Sequence, residues 1–189
     1  VDDYSADDTK KIARKFKVNI FKQHEKDLGK QRAFGLLKCK GDWILMLDAD
    51  EIISPELKKE IISVINDQPL AVSQKINGYY IPYQNHFLGK AIYYGGEDYK
   101  ILRLFKKDAA AISKNLIHEY VKVDGKLSAL QHKILHYSYR TLGQTFSKFT
   151  DYAQREAQRK IKNGEKTSIA KLIFYPLHMF WARYIKDKG

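Results

Sequence analysis

Residues Trp43-Ile44-Leu45-Met46-Leu47-Asp48-Ala49-Asp50-Glu51 decide how this chain is read, because an apolar run of strand length ends in two carboxylates one residue apart. Open α/β sheets bind their ligands at the carboxyl ends of strands. If the backbone is still extended there, Asp48 and Asp50 point the same way. Paired oxygen ligands of that kind suit a divalent cation that also holds phosphates. A strand that merely ends in an acidic turn has the same sequence, so the surrounding chain has to choose.

Upstream, Ser5-Ala6-Asp7-Asp8-Thr9 offers capping side chains for a short helix running to about Lys15, and Val18 to Phe21 reads as a strand. Leu28, Arg32, Gly35, Leu36 and Cys39 then fall at helical spacing, and Gly41-Asp42 closes that helix before Trp43. Strand, helix and strand in this order predict a parallel crossover. Downstream, Ser54-Pro55-Glu56 opens a helix with Leu57, Ile61, Ile62 and Ile65 on its buried face.

From Gly78 to Ser138 the pattern becomes mostly strands, at Tyr79 to Phe87, Ala91 to Tyr94, Ile101 to Phe105, His118 to Val123 and Lys133 to Tyr137. Asp124-Gly125 reads as a hairpin turn. Two helices follow, Leu142 to Ile161 and Ser168 to Ile185, separated by Asn163-Gly164, with Pro176 expected to kink the second.

A chain of 189 residues with 44% apolar content supports one well-buried domain with a helical appendage. The single cysteine, Cys39, excludes an internal disulfide and suits a reducing compartment. The net charge of +12 is uneven, since eleven Lys or Arg against four Asp or Glu leave +7 between Arg140 and Gly189. A basic, aromatic C-terminal segment favours an anionic partner, either phospholipid or nucleic acid, although a solvated helix face explains part of the charge. Neither a signal peptide nor a run long and apolar enough to span a bilayer is seen.

Taken together, Val1 to Thr9, the helix from Gly29 to Gly41 with its Arg32, and Leu47-Asp48-Ala49-Asp50-Glu51 resemble the family 2 glycosyltransferases. Within that family, Gly95-Gly96-Glu97-Asp98-Tyr99, Leu102-Arg103-Leu104-Phe105-Lys106-Lys107, Ile117-His118-Glu119 and Leu135-His136-Tyr137-Ser138 look like the lipopolysaccharide core glucosyltransferase branch. The resemblance implies a GT-A fold, a Rossmann-like mixed α/β sheet with flanking helices, over residues 1–139. Residues 140–189 would form a basic amphipathic helical extension. It also implies that a first strand, a first helix and most of a second strand precede Val1, whose Val1-Asp2-Asp3 reads as the tail of a strand.

The implied function is inverting transfer of a hexose from a nucleotide diphosphate sugar, a UDP-sugar for preference, to a glycan or lipid-linked acceptor in cell-envelope polysaccharide synthesis. Asp2 would accept from the base, Asp48 would lie near the ribose or metal, and Asp50 would hold Mg²⁺ or Mn²⁺ against the diphosphate. Arg32 and Arg103 would contact the nucleotide sugar, Arg103 with Lys106 from one strand face. His118 would complete the metal site, and Glu119 would bind acceptor hydroxyls. Inversion needs a base for the acceptor hydroxyl. Asp98 takes that role here, with Glu97 beside it as the alternative. His136 is expected to be structural. The expected location is cytoplasmic, peripheral at the inner face of the membrane. No nucleic-acid motif appears, and the competing class is a non-catalytic module that uses the basic aromatic tail on membrane or nucleic acid.

Overall fold

The computed structural model describes residues 1–25, 28–67, 75–112 and 121–188. Along the chain the elements are α1 (Thr9–Lys15), α2 (Leu28–Lys38), β1 (Trp43–Leu45), β2 (Glu51–Ile53), α3 (Pro55–Asn66), β3 (Ile76–Phe87), β4 (Lys90–Ala91), β5 (Lys100–Lys106), β6 (Ala110–Ile112), β7 (Val121–Val123), β8 (Lys126–Ala129), β9 (Ile134–Tyr139), α4 (Leu142–Lys162) and α5 (Ile169–Phe180). A π-helical stretch, Trp181–Lys186, continues α5. Two compact units result, residues 1–46, 65–80 and 102–128 in the first, and residues 47–64, 81–101 and 129–189 in the second. Helices flanking mixed parallel and antiparallel strands match the expected α/β class.

In the first unit β1 pairs antiparallel with β5, Trp43 opposite Lys106 and Leu45 opposite Leu104. Strand β8 lies on β3, and β6 and β7 form a separate antiparallel pair. Ile44, Leu102, Phe105, Val121 and Val123 make its core. Gly78 of β3 allows this packing, because a Cβ there would stand 3.0 Å from Leu102 Cδ1 and 3.1 Å from Leu127 Cδ2.

Three expectations need correction in this unit. Residues 18–21 form no strand. Lys17 turns the backbone to φ 54°, and only an isolated Asp2 to Lys22 bridge follows. The partner of β1 is therefore the antiparallel β5, not a parallel strand brought back by α2. Asp124-Gly125 is not a hairpin turn either. It joins two strands with different partners, β7 to β6 and β8 to β3, and the Asp124 carbonyl accepts from Asn77 Nδ2 at 2.9 Å.

The second unit is built on β3, β9 and β2, with the short β4 paired antiparallel to β3. Strand β9 runs parallel to β3 and antiparallel to β2, so that Asn85, His136 and Glu51 stand in register on one line across the strands. Cross-strand neighbours share a face. Ser54 Oγ caps α3 by accepting from Leu57 N–H at 3.1 Å, and Leu57 and Ile61 are buried, as are Ile81, Tyr83, Leu130 and Ile134 of the same unit. Ile62, expected on that face, is 50% exposed, because the four-residue step from Leu57 selects Ile61. Glu60 ties α3 to the approach of β9 by accepting from the backbone N–H groups of Gln131 and His132.

Thr141 caps α4 through a hydrogen bond from Gln144 N–H, and Ser168 caps α5 in the same way from Lys171 N–H. None of the α5 residues is buried, and Leu172, Phe174, Leu177 and Phe180 are all at least 60% exposed. Among the described residues no helix is long and apolar enough to cross a membrane.

Candidate active site

The acidic end of the opening stretch is a turn. Strand β1 stops at Leu45, Glu51 N–H donates to the Asp48 carbonyl at 3.1 Å, and Asp48 N–H donates to Glu51 Oε2 at 3.0 Å. Asp48 and Asp50 therefore do not alternate along an extended strand, which corrects the geometry assumed for the pair. What directs Asp50 is the next strand. Its carbonyl accepts from Tyr137 N–H at 2.8 Å, and the register of β2 on β9 places Glu51 opposite His136.

A connected row of polar side chains crosses this face. Glu97 Oε2 accepts from Asn85 Nδ2 at 2.7 Å, which orients the amide, since a carboxylate only accepts. Asn85 Oδ1 then faces His136 Nδ1 at 2.7 Å, and because an amide oxygen cannot donate, Nδ1 carries the proton. The other imidazole nitrogen, Nε2, looks at Asp50 Oδ1 across 3.6 Å. Lys148 of α4 completes the row, donating to Ser138 Oγ at 2.9 Å and to Asp50 Oδ2 at 3.3 Å. Below it the Tyr83 hydroxyl donates to Glu51 Oε1 at 2.8 Å, and the Tyr83 ring packs edge-on to His136 and stacks on Tyr99.

His136 is the main cause that holds the Asp50 carboxyl well below the usual carboxylate range, and Lys148 adds to it against the opposing effect of burial. Asp50 is thus a fixed anion at any pH near neutrality. Its chemistry, with Asp48 two residues away, fits Mg²⁺ or Mn²⁺, which take one or two carboxylates and fill the remaining positions with phosphate oxygens and water. No group of three or more His, Cys, Asp or Glu side chains able to hold a metal gathers among the described residues. His118 and Glu119, expected at the metal and acceptor positions, lie outside those residues.

The remaining expected residues fall into two groups. Glu97 is half-buried against Asn85. Asp98 is open to solvent, its side chain 79% exposed and its carboxylate 3.5 Å from Lys133 Nζ. In the first unit, Asp2 is buried, and Ser5 donates to its Oδ1 from both hydroxyl and backbone, lowering the carboxyl below its ordinary value. Asp2 Oδ2 is buried with no hydrogen-bond partner among the described residues. Arg32 sits half-buried on α2. Arg103 is buried on β5, while Lys106 points from the opposite face with its ammonium over the Trp43 ring. Three residues along a strand cannot share a face, so the expected Arg103 and Lys106 pair does not exist.

The Glycosyl transferase family 2 profile matches residues 1–122. This chain belongs to glycosyltransferase family 2. Its fold is accordingly the Rossmann-like GT-A arrangement. Among curated relatives it is similar to uncharacterized glycosyltransferases of Rickettsia typhi, 28% identical over 97% of this chain and 66% of the relative, and of Rickettsia prowazekii, 27% identical over 89% and 60%. A glycosyltransferase of Rickettsia conorii is 28% identical over 89% of this chain and 62% of its own. The chain thus spans roughly three-fifths to two-thirds of these family members' length.

His136, Asn85 and Lys148 escaped the sequence-based reading of the site. A usable signal was present for two of them. Gln84, Asn85 and His86 interrupt an otherwise apolar and aromatic strand, and His136 takes an inward place in the alternation of β9 beside buried Ile134. Lys148 gave no signal, since one lysine of an exposed helix resembles the others until the fold brings it to Asp50.

Proposed function

We propose that the chain is the GT-A part of an inverting, metal-dependent hexosyltransferase that uses a nucleotide diphosphate sugar and acts on a glycan or lipid-linked acceptor in cell-envelope polysaccharide synthesis. The observation that carries this reading is the row Glu97, Asn85, His136 and Asp50, which holds one ionised carboxylate, Asp50, and leaves Asp98, the residue after Glu97, open to solvent. Membership of family 2 supports glycosyl transfer in general. The lipopolysaccharide core branch rests on the Gly95 to Tyr99 and Leu135 to Ser138 motifs.

In this mechanism Asp50 and Asp48 would hold the cation, which when bound neutralises charge developing on the departing diphosphate. Lys148, donating to Asp50 Oδ2 and Ser138 Oγ, keeps Asp50 in place, and His136, its Nδ1 proton fixed on Asn85, stands beside it with Nε2 3.6 Å from Oδ1. Asp2 offers its unpartnered Oδ2 to a ring N–H of the nucleobase, an acceptor that a pyrimidine imide satisfies. Arg32 and Arg103 are assigned to the nucleotide sugar, and Glu119 to the acceptor. Asp98 takes the proton of the attacking hydroxyl, while the Glu97 carboxylate is committed to Asn85. Residues 1–139 form the transferase domain in this reading. The helical extension, residues 140–189, supplies Lys148 to the site and a basic apolar surface to an anionic membrane, at the cytoplasmic face.

The rival reading, a non-catalytic membrane module, draws on the wholly exposed α5. Calorimetric titration with UDP and Mn²⁺ separates the two. Metal-dependent binding that Asp50→Ala abolishes, together with Asp98→Asn that keeps binding and loses transfer, is the expected result. Absence of nucleotide binding by the folded full-length protein would leave the module as the better reading.

A further inference from the structure

The segment that carries Asp98 is held from the far end of the chain. Gly95 N–H donates to the Asp187 carbonyl at 3.0 Å, and the Gly95 carbonyl accepts from Arg183 Nη1 at 2.7 Å. Both backbone polar groups of Gly95 are therefore satisfied by the last turn of the π-helical stretch and the residue after it. Gly96 makes the approach feasible, because a Cβ there would collide with Arg183 Nη1 and lie 2.9 Å from Asp187 Oδ2. Gly95 and Gly96 both sit at φ 75°, so neither offers a side chain to fix the loop, and two successive glycines leave it with the freest of backbones. Apolar packing does not supply the hold either, since the π-helical stretch, like α5, buries no residue. Among the described residues the hold is a charge-assisted hydrogen bond from a guanidinium and one backbone bond.

We propose that Trp181–Asp187 is the positioning element for the Gly95-Gly96-Glu97-Asp98 segment, with Arg183 as its positioning residue. The inference rests on the assignment of Asp98 as base, and deepens it. Asn85 fixes the loop at Glu97 from the sheet side, and Arg183 fixes it at Gly95 from the helical side. Asp98 lies directly after the segment spanned by these two anchors. Tyr99, stacked on Tyr83, holds the far side of Asp98, so losing the Gly95 anchor frees the two glycines before it and shifts the carboxylate from the line of attack on the sugar. A base displaced in this way still exists and still titrates, so the loss appears in turnover and not in donor affinity.

The test compares wild type, Arg183→Ala and Arg183→Lys in the full-length protein. Hydrogen–deuterium exchange of the peptide covering residues 94–99 reads the hold directly. Arg183→Ala should raise exchange there by about tenfold, the scale of losing a hydrogen bond from a charged donor. Its kcat should fall by about tenfold or more, with nucleotide affinity and the urea midpoint unchanged. Arg183→Lys, which keeps a cationic donor, should restore most of both. Unchanged exchange in Arg183→Ala overturns the hold, and raised exchange with unchanged kcat overturns its service to Asp98. A wild-type protein that binds no nucleotide and turns over no donor overturns the transferase reading instead, and the exchange arm then decides the hold by itself.

Discussion

The second unit contains two regions that invert the usual order of a folded protein. Across β3, β9 and β2 the polar side chains are inside. Glu51, Gln84 and Asn85 are buried, and Glu51 and Asn85 are hydrogen-bonded to neighbouring side chains. Along α5 the apolar side chains are outside, with Leu172, Phe174 and Phe180 open to solvent. Buried polar groups and exposed apolar patches are the two departures from the norm that carry information. The first costs desolvation unless every partner is present, so it persists as a connected row. The second costs nothing within the fold and is free to meet a surface, which makes it a matter of partners and not of stability.

The sharpest way to break this comparison is to cut the row. His136→Ala removes the donor to Asn85 Oδ1, a partner 5% exposed, and the ring that packs on Tyr83. Stability should fall by about 1–2 kcal/mol, the scale of losing one buried hydrogen bond and a ring contact, because the Tyr99 hydroxyl still reaches Asn85 Oδ1 at 3.4 Å. A urea titration measures it. A loss below about 0.5 kcal/mol would mean that the row is solvated and that its order is not needed.

The row also has a pH signature. The folded-state value of Asp50 lies below its ordinary 3.8, so its stabilising contribution is complete above that pH and disappears as pH falls through the lower folded value. Asp50→Asn should therefore be less stable than wild type at pH 7 and pH 5, with the gap closing only below 3.8. A gap that closes instead between pH 7 and pH 5 would show that the carboxylate is protonated well above 3.8 and that its neighbours do not stabilise its charge. Because Asp50 is partly exposed, the effect should be smaller than that of His136→Ala.

How far the sequence revealed this fold follows the same division. Helices α2, α3 and α4 declare themselves through spacing and caps, since Ser54 and Thr141 act on their own neighbours. The pattern at 18–21 reads as a strand and is none, because the left-handed Lys17 turns the chain just before it. Asp48 and Asp50 were visible as a pair, yet their function-bearing geometry was not. The line from Asn85 through His136 to Glu51 joins residues up to 85 positions apart through strand register, which no local pattern encodes. Arg183 at Gly95 is invisible for the same reason.

The smallest effect expected concerns α5. Substituting Leu172 and Phe174 by Ser removes apolar groups 74% and 66% exposed, and with no packing to lose, stability should change by less than about 0.5 kcal/mol. The same pair should weaken sedimentation with phosphatidylglycerol vesicles, because each buried methylene contributes about 0.8 kcal/mol to an interfacial helix. Phosphatidylcholine vesicles supply the control, since the Lys171, Arg183, Lys186 and Lys188 charges favour an anionic surface. If the variant unfolds more easily and binds vesicles as before, α5 packs on protein in solution, and the contrast with the polar row collapses. Unchanged stability with lost binding keeps the two regions apart, one held by partners within the fold and the other awaiting a surface outside it.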